Sequence, residues 1–250
     1  MTGLKGRAAL ITGASKGLGR GIALALGAAG VRVALASRNL SQLNETAAAV
    51  GDLGGQAAVF QTDVTDEAQV LKLEKSVANE FGRLQILINN AGMNLRKPVT
   101  EFTLAEWRQV FDTNVTSVFL MCRSFVPQIK GQGYGRILNL TSIMSHVGLP
   151  GRTAYAASKS ALLGFTRALA LELASEKITV NGVSPGPIAT EMNAPLISDP
   201  ELNRQFLSKI PLSRWGKVEE VGQLACYLCS EEASFITGTD ILIDGGWTAQ

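Results

Sequence analysis

Short apolar runs rich in β-branched residues alternate along the chain with longer segments in which apolar residues recur at helical spacing. Seven of these runs predict β-strands, at residues 8–12, 32–37, 57–61, 86–89, 137–140, 179–183 and 240–243. The strands are apolar on both faces and are joined by connections of helix length, which is typical of a parallel sheet covered by helices on both sides. The pattern therefore predicts one doubly wound α/β domain over residues 1–250, with a seven-stranded parallel sheet.

One segment breaks the alternation of strands and helices. Between residues 185 and 216, five prolines interrupt both patterns. We expect this segment to form a lid-like insertion over the carboxyl ends of the strands. Elsewhere the sequence has no repeat of fixed period and no linker rich in proline and serine, which favours a single domain.

The charge balance limits the kinds of molecule that we expect the protein to bind. The chain has 23 Lys+Arg and 21 Asp+Glu, a net charge of +2 with no polybasic run, so nucleic acid is a poor candidate. The longest uncharged stretch, residues 137–151, contains Asn139, Ser142 and His146, so no membrane span is expected. Residues 1–6 lead directly into the first strand and leave no room for a signal peptide, which predicts a cytoplasmic protein.

The cysteines and the histidine point to no metal site. Three cysteines cannot form a secreted disulfide framework. Cys226 and Cys229 lie within an apolar helical pattern, so we expect them in the core and predict no bound metal. His146, the only histidine, either faces a substrate pocket or, as is more common, fills a loop, and it has no second histidine or acid to make a catalytic pair.

The first strand runs into a glycine-rich turn that precedes a helix starting near Arg20. Glycines let the backbone approach a pyrophosphate closely, and the free N–H groups and positive dipole end of the helix stabilise its charge. The spacing is Gly-x3-Gly-x-Gly rather than Gly-x-Gly-x-x-Gly, but its place between a strand and a helix favours a Rossmann-type dinucleotide site over an ordinary turn. The predicted contacts are Gly13, Ser15, Lys16, Gly17, Leu18 and Gly19.

The second strand ends in Ala-Ser-Arg-Asn at residues 36–39, with no carboxylate for the adenosine ribose. An arginine at this point can pair with a 2′-phosphate and Lys16 can add a second cation, which favours NADP(H), with NAD(H) as the alternative. Otherwise Arg38 is a solvated charge at the strand end. Asp63 either accepts from the adenine amino group or caps the helix that begins near Asp66. The predicted contacts at this end are Ser37, Arg38, Asp63 and Val64.

A second group of polar residues suits proton transfer. Tyr155 and Lys159 lie four residues apart in a predicted helix at residues 154–174, so their side chains share one face. A nearby ammonium favours tyrosinate and lowers the tyrosine pKa toward a range where it exchanges a proton with an alcohol or ketone. Ser142, at the end of the fifth strand, can hydrogen-bond the same oxygen. Together with Asn114 upstream, these side chains suit reversible hydride transfer.

Several motifs occur in a fixed order along the chain: Thr-Gly-Ala-Ser-Lys-Gly-Leu-Gly at residues 12–19, Asn-Asn-Ala-Gly at residues 89–92, Asn114, Ser142, Tyr155-x3-Lys159 and Pro185-Gly186. Together they resemble the short-chain dehydrogenase/reductase family over essentially the whole chain. The resemblance implies that Tyr155 is the general acid/base and that Ser142 orients the substrate carbonyl. It also implies that Lys159 lowers the pKa of Tyr155 and holds the nicotinamide ribose, and that Asn114 holds a water in a proton relay from Lys159.

The resemblance also implies cofactor contacts from loops that follow later strands. Asn90 would line the cofactor site, and Ile188 and Thr190 would contact the carboxamide end of the nicotinamide. The implied contacts are Asn90, Ala91, Gly92, Tyr155, Lys159, Pro185, Gly186, Ile188 and Thr190.

Within the family, the chain is similar to two groups that share a reaction type. Residues 157–161 and 234–238 resemble 3-oxoacyl-carrier-protein reductases, whereas residues 96–98 and 214–216 resemble gluconate and deoxygluconate dehydrogenases. Carrier-protein reductases tend to carry basic docking residues where this chain has Gly133 and Glu176. We therefore expect an NADP-preferring oxidoreductase that interconverts a ketone and a secondary alcohol on a small polar or carboxylated substrate of the sugar-acid or polyol type.

Three alternatives stay open at this point. Arg96 and Lys97 either pair with a substrate carboxylate or form a solvated charge pair on a loop. The substrate of the enzyme is alternatively a 3-oxoacyl thioester. In another class, the protein is a dinucleotide-binding regulator without turnover, although a pure binder needs only the glycine-rich turn and not the residues for proton transfer.

Two predicted helices, at residues 107–128 and 154–174, carry more apolar positions than one sheet face needs. This surplus indicates a subunit interface. The family resemblance implies a homotetramer in which these helices pair and residues 244–247 lie near a neighbouring subunit, with a dimer as the alternative. The apolar positions are Val110, Phe111, Val118, Phe119, Leu162, Phe165, Leu169 and Leu173.

Overall fold

Seven strands form one sheet in the order β3-β2-β1-β4-β5-β6-β7, and all neighbouring strands are parallel. This computed structural model describes residues 1–250 apart from the side chain of Met192. The strands are β1 Ala8–Thr12, β2 Arg32–Ser37, β3 Gln56–Gln61, β4 Ile86–Asn89, β5 Gly135–Leu140, β6 Ile178–Pro185 and β7 Asp240–Ile243. The predicted seven-stranded parallel sheet is confirmed.

The helices connect these strands and cover both faces of the sheet. They are α1 Gly17–Ala28, α2 Leu40–Asp52, α3 Glu67–Phe81, α4 Leu104–Phe111, α5 Ser117–Ile129, α6 Thr153–Leu173, α7 Ala194–Ser198, α8 Pro200–Leu207 and α9 Val218–Cys229. The predicted helix at residues 107–128 is two helices, because a π-helical turn, Asp112–Thr116, separates α4 from α5. The segment at residues 185–216 contains the end of β6 and the short helices α7 and α8.

Two hydrophobic clusters lie on opposite faces of the sheet. Helices α1, α2 and α9 cover one face with side chains such as Ile22, Val50 and Leu228. Helices α3, α5 and α6 cover the other, where Phe125 and Leu162 are buried. Because both faces are covered, the inner strands are apolar at nearly every position, which is the pattern that made them recognisable.

The cysteines belong to this core. Cys122, Cys226 and Cys229 are free thiols and buried. Burial raises the pKa of Cys226 to about 11 and that of Cys122 to about 12, so these thiols stay protonated at neutral pH. Among the described residues, no group of three or more His, Cys, Asp or Glu side chains is arranged to hold a metal ion, and no helix is long and apolar enough to cross a membrane.

Some of the apolar side chains that predicted a subunit interface are buried within the monomer. Val110, Val118, Leu162 and Leu173 are buried in the monomer, so they are core residues and this part of the expectation is wrong. Phe119 is the member of that set that stays exposed as a large apolar side chain. Further exposed apolar side chains that the pattern did not single out are Leu171 on α6, Phe235 before β7 and Leu242 on β7.

We expect the central strands to dominate stability. Leu87 on β4 is 0% exposed whereas Leu53 at the end of α2 is 55% exposed, so the two leucines form a matched pair. Leu87→Ala should lower the free energy of unfolding by about 2–5 kcal/mol through lost burial and a residual cavity. Leu53→Ala should change it by less than about 0.5 kcal/mol. Urea denaturation of both variants checks this, and equal losses would contradict the assigned core.

Candidate active site

The carboxyl ends of all seven strands lie along one edge of the sheet, and the loops after β1 and β4 separate there to opposite sides. Hydrogen bonds tie these two loops together. The Thr12 hydroxyl accepts from the N–H groups of Asn90 and Ala91, at 3.0 Å each. The Asn90 amide donates to the carbonyls of Thr12 and Gly13, at 2.9 and 3.1 Å. Asn90 therefore holds the glycine-rich turn in shape, and Thr12 has a positioning role that sequence reasoning missed.

The glycine-rich turn has the geometry that a pyrophosphate needs. Gly13 and Gly17 have φ values of +63° and +55°, a region that favours glycine. A Cβ on Gly19 would lie 2.3 Å from the Gly13 carbonyl oxygen, whereas a Cβ on Gly17 would meet nothing within 4 Å. Lys16, which precedes α1, makes no side-chain cap, so no side chain covers the N–H groups of the first turn. The residues present fit a bound dinucleotide phosphate.

The adenosine end is more open. Arg38 is exposed at the carboxyl end of β2, beside Ser37. Asp63 accepts from the N–H and the hydroxyl of Thr65, at 3.0 and 2.7 Å. The helix cap of α3 is Asp66, which accepts from the N–H groups of its first turn, so the interpretation of Asp63 as a cap is wrong. The contact of Asp63 with adenine stays a prediction. The cofactor contact of Val64, whose side chain packs into the core, also stays a prediction.

Asn114 lies in the π-helical turn between α4 and α5 and is 0% exposed. Its carbonyl oxygen accepts from the Met93 N–H at 2.7 Å, and its amide nitrogen donates to the Met93 carbonyl and the Ser158 hydroxyl, at 2.9 Å each. Ser158 in turn donates to the Tyr155 carbonyl at 2.8 Å. The π turn thus places an amide between the loop after β4 and helix α6. Such turns inside helices are frequent at functional sites.

Lys159 brings a charge into the protein interior. Its side chain is buried, its ammonium donates to the Leu140 carbonyl, and it has no carboxylate partner among the described residues. Burial lowers the pKa of Lys159 to about 8. A Cβ on Gly92 would lie 3.5 Å from this ammonium and 3.3 Å from the Asn114 carbonyl oxygen. Asn114 and the Lys159 ammonium therefore both lie close to Gly92, and the water relay between Asn114 and Lys159 stays a prediction.

Tyr155 lies one turn before Lys159 on α6, and its ring centroid is 5.9 Å from the Lys159 ammonium. Burial raises the pKa of Tyr155, and a hydrogen bond from Ser142 and the positive charges of Arg152 and Arg96 act in the opposite direction. Burial is the largest of these effects, and Ser142 and the two arginines only partly offset it. The lowering of this pKa by Lys159 stays a prediction. Sequence reasoning missed Arg152 entirely.

Two loop side chains, Lys97 and His146, have acidic partners. Lys97 forms an ion pair with Glu106 at 2.6 Å, so its charge is already compensated. This contradicts the interpretation of Lys97 as a free partner for a substrate carboxylate. His146 does have an acidic partner, contrary to expectation, because its Nε2 lies 2.7 Å from Oδ2 of Asp240. The Asp240 carboxylate also accepts from the hydroxyls of Thr141 and Ser184, so this group joins the loop after β5 to β7.

The segment at residues 185–216 begins beside the site. Gly186 donates its N–H to the Ile243 carbonyl at 3.0 Å, and Ile188 is buried and forms a bridge with Gly216. Thr190 follows in the loop before α7. Farther along, Phe206 of α8 stacks on Trp215 with ring centroids 5.3 Å apart. The segment therefore folds against the carboxyl ends of β6 and β7.

Glu191, on this segment, carries a charge that lies near Lys16 of the glycine-rich turn. The Lys16 ammonium, a predicted partner of the 2′-phosphate, lies 3.9 Å from a Glu191 carboxylate oxygen, and both side chains are exposed. An exposed pair at this separation contributes little energy.

Comparison with known proteins agrees with this geometry. Residues 13–248 match a family model described as enoyl-(acyl carrier protein) reductase. A 3-oxoacyl-[acyl-carrier-protein] reductase from Synechocystis sp. is 39% identical over 98% of this chain and 98% of its own length. A gluconate 5-dehydrogenase from Gluconobacter oxydans is 35% identical over 98% of this chain and 96% of its own.

The chain belongs to the short-chain dehydrogenase/reductase family. A solved structure of a candidate 2-deoxy-D-gluconate 3-dehydrogenase from Agrobacterium tumefaciens with bound NADP superposes with a TM-score of 0.91, at 35% identity, covering 99% of this chain and 98% of the other. Members of the family are oxidoreductases that act on CH–OH groups and bind NAD(P), and the interconversion of alcohol and ketone fits this chain.

The buried ammonium predicts a pH dependence of stability. Lys159 has a pKa of about 8 in the folded protein against an ordinary value of 10.5, so between these values the folded state holds fewer protons than the unfolded one. Stability therefore rises with pH across this window, and the destabilising charged form dominates below it. Between about pH 7.5 and 9.5, the wild type should gain about 1–2 kcal/mol of unfolding free energy relative to Lys159→Met. Urea denaturation at both pH values measures this, and parallel pH curves would contradict it.

Proposed function

We propose that this protein is an NADP(H)-preferring oxidoreductase that interconverts a ketone and a secondary alcohol on a small polar or carboxylated substrate of the sugar-acid or polyol type. NAD(H) is the alternative cofactor. The observation that carries the proposal is the convergence of the Tyr155 phenol, the Ser142 hydroxyl and the buried Lys159 ammonium beside the glycine-rich turn. A dinucleotide-binding regulator without turnover would not need this group.

In the proposed reaction, the nicotinamide of the bound cofactor supplies or accepts the hydride. Tyr155 donates a proton to the ketone oxygen during reduction and accepts it from the alcohol during oxidation. Ser142 donates a hydrogen bond to the same oxygen and orients it. Lys159 would hold the nicotinamide ribose, and Asn114 would hold a water through which a proton could pass between Lys159 and solvent.

The cofactor contacts follow the edge of the sheet. Supporting observations are the uncapped first turn of α1 and the open side of Gly17. Arg38, with Lys16, would bind the 2′-phosphate, because no carboxylate at the end of β2 opposes it. The full proposed set is Gly13, Ser15, Lys16, Gly17, Leu18, Gly19, Ser37, Arg38, Asp63, Val64, Asn90, Ala91, Gly92, Tyr155, Lys159, Pro185, Gly186, Ile188 and Thr190.

The proposal extends to the whole chain. Residues 1–250 form one catalytic domain, and residues 185–216 act as a lid over the site. We further propose a homotetramer, for which the exposed Phe119, Leu171 and Phe235 offer apolar contact surface. A cytoplasmic location stays a prediction.

A second candidate substrate is a 3-oxoacyl thioester. The identity of 39% to a 3-oxoacyl-[acyl-carrier-protein] reductase over nearly the whole chain favours it. Against it, Gly133 and Glu176 stand where basic residues would contact an acidic carrier protein, and the Glu176 carboxylate accepts from the Gly131 N–H. Assaying gluconate-type acids and a 3-oxoacyl thioester side by side decides between the two substrate classes.

Tyr155→Phe should lower kcat by about 10²- to 10⁴-fold, because it removes the proton donor and leaves the ring. Its affinity for NADPH should match that of the wild type. Tyr227→Phe, on the exposed face of α9, is the matched control and should keep full activity. Nicotinamide absorbance with NADP⁺ and gluconate-type acids, or with NADPH and a 3-oxoacyl thioester, measures both variants.

Turnover that does not depend on Tyr155 would overturn the proposed mechanism. Turnover of the thioester alone would move the substrate assignment to the second candidate. Binding of NADPH without turnover of any substrate would favour a regulator.

Arg38→Asp tests the cofactor preference. Loss of the guanidinium and gain of a carboxylate should weaken NADPH binding by about 10- to 100-fold and spare or improve NADH binding. Arg108→Asp, at the exposed end of α4, applies the same charge change away from the site and should alter neither affinity. Fluorescence titration with both cofactors measures this, and an equal loss for NADPH and NADH would refute the 2′-phosphate assignment.

A further inference from the structure

Three cationic side chains lie in the loops above Tyr155: Arg96, Lys97 and Arg152. They differ in their partners. The Lys97 ammonium is compensated by Glu106 at 2.6 Å. Arg96 and Arg152 form no ion pair with any carboxylate among the side chains that the structure describes. The loops therefore hold two uncompensated guanidiniums next to a compensated ammonium.

The backbone brings the two arginines together. The Lys97 N–H donates to the Gly151 carbonyl at 3.2 Å, so the residue after Arg96 is bonded to the residue before Arg152. A Cβ on Gly151 would also contact the Lys97 backbone, at 3.8–3.9 Å. Arg152 is the residue that precedes α6, one helical turn before Tyr155. This contact brings the backbone at Arg96 close to the backbone at Arg152, at the start of the helix that carries Tyr155.

The charges of the two arginines act on each other and on the phenol. Burial lowers the pKa of Arg152, and the charge of Arg96 lowers it further. Both charges also lower the pKa of Tyr155, against the effect of burial. Arg152 is half-buried whereas Arg96 is exposed, so an anion that binds both guanidiniums would relieve the repulsion that Arg152 experiences.

We propose that Arg96 and Arg152 form a two-guanidinium site that binds the carboxylate of the substrate, next to the carbon that exchanges hydride. This inference rests on the proposed function and names the residues that select an acid over its uncharged analogue. Guanidinium groups bind carboxylates through paired N–H donors, whereas Lys97 is engaged by Glu106. Because the charges of both arginines act on the Tyr155 phenol, the proposed site would hold the carboxylate a short distance from the reacting carbon. A 3-oxoacyl thioester carries no charge at that distance.

The test measures binding in a complex that cannot turn over. The full-length enzyme with saturating NADPH is titrated by calorimetry with gluconate, with the uncharged gluconamide and with sorbitol 6-phosphate. The wild type should bind gluconate at least about tenfold more tightly than gluconamide. Arg96→Gln and Arg152→Gln should each remove most of that preference and leave gluconamide affinity unchanged. Lys97→Gln and Arg108→Gln, the matched controls, should keep it.

Three results would overturn the site. They are a charge preference that survives Arg152→Gln, a preference lost equally in Lys97→Gln, and tighter binding of the phosphate than of the carboxylate. Arg152→Lys restores the charge without the paired donors and should recover part of the preference, which separates recognition from a general loss of structure.

Oxidation of gluconate by NADP⁺, measured in parallel, keeps the two proposals apart. Oxidation with a charge preference that does not depend on the arginines would contradict the anion site alone. A charge preference that depends on both arginines, without oxidation, would contradict the substrate assignment and support the site.

Discussion

A parallel sheet buried on both faces is the constraint from which the site follows. Each crossover must return the chain to the same end of the sheet, so all carboxyl ends meet at one edge. At the switch between β1 and β4, two loops separate and leave a crevice. The hydrogen bonds of Thr12 and Asn90 fix the glycine-rich turn to the loop after β4 and so define the shape of that crevice. The residues proposed for proton transfer, Ser142 and Tyr155, lie after β5 and on α6, beside the same sheet edge.

The buried ammonium of Lys159 brings a charge to this edge of the sheet, whereas the core is apolar. A charge without a carboxylate partner is costly in the interior, and burial lowers its pKa accordingly. The polar chain from Met93 through Asn114 and Ser158 to α6 fixes the surroundings of this ammonium. Sites that stabilise changing charge during a reaction gain from such fixed groups, because little reorganisation is needed.

Sequence reasoning predicted the sheet, which the structure has, and proposed the glycine-rich turn and the Ser142, Tyr155 and Lys159 group, because these depend on local periodicity and on motif spacing. It missed the π turn, since an interrupted helix keeps nearly the same apolar period. It also missed contacts between residues distant in sequence. The pairing of His146 with Asp240 and the approach of Arg152 to Arg96 depend on how loops pack, which no spacing encodes.

The proposed function requires that hydride moves between a nicotinamide and a carbonyl carbon held beside Tyr155. The most direct measurement uses NADPH deuterated at C4 of the nicotinamide on the transferred face, with a 5-oxo sugar acid as substrate and mass spectrometry of the product. We predict one deuterium on the carbinol carbon in the wild type and, over the same time, about 10²- to 10⁴-fold less product from Tyr155→Phe. A reduced product without deuterium, from either face of the labelled cofactor, would contradict it.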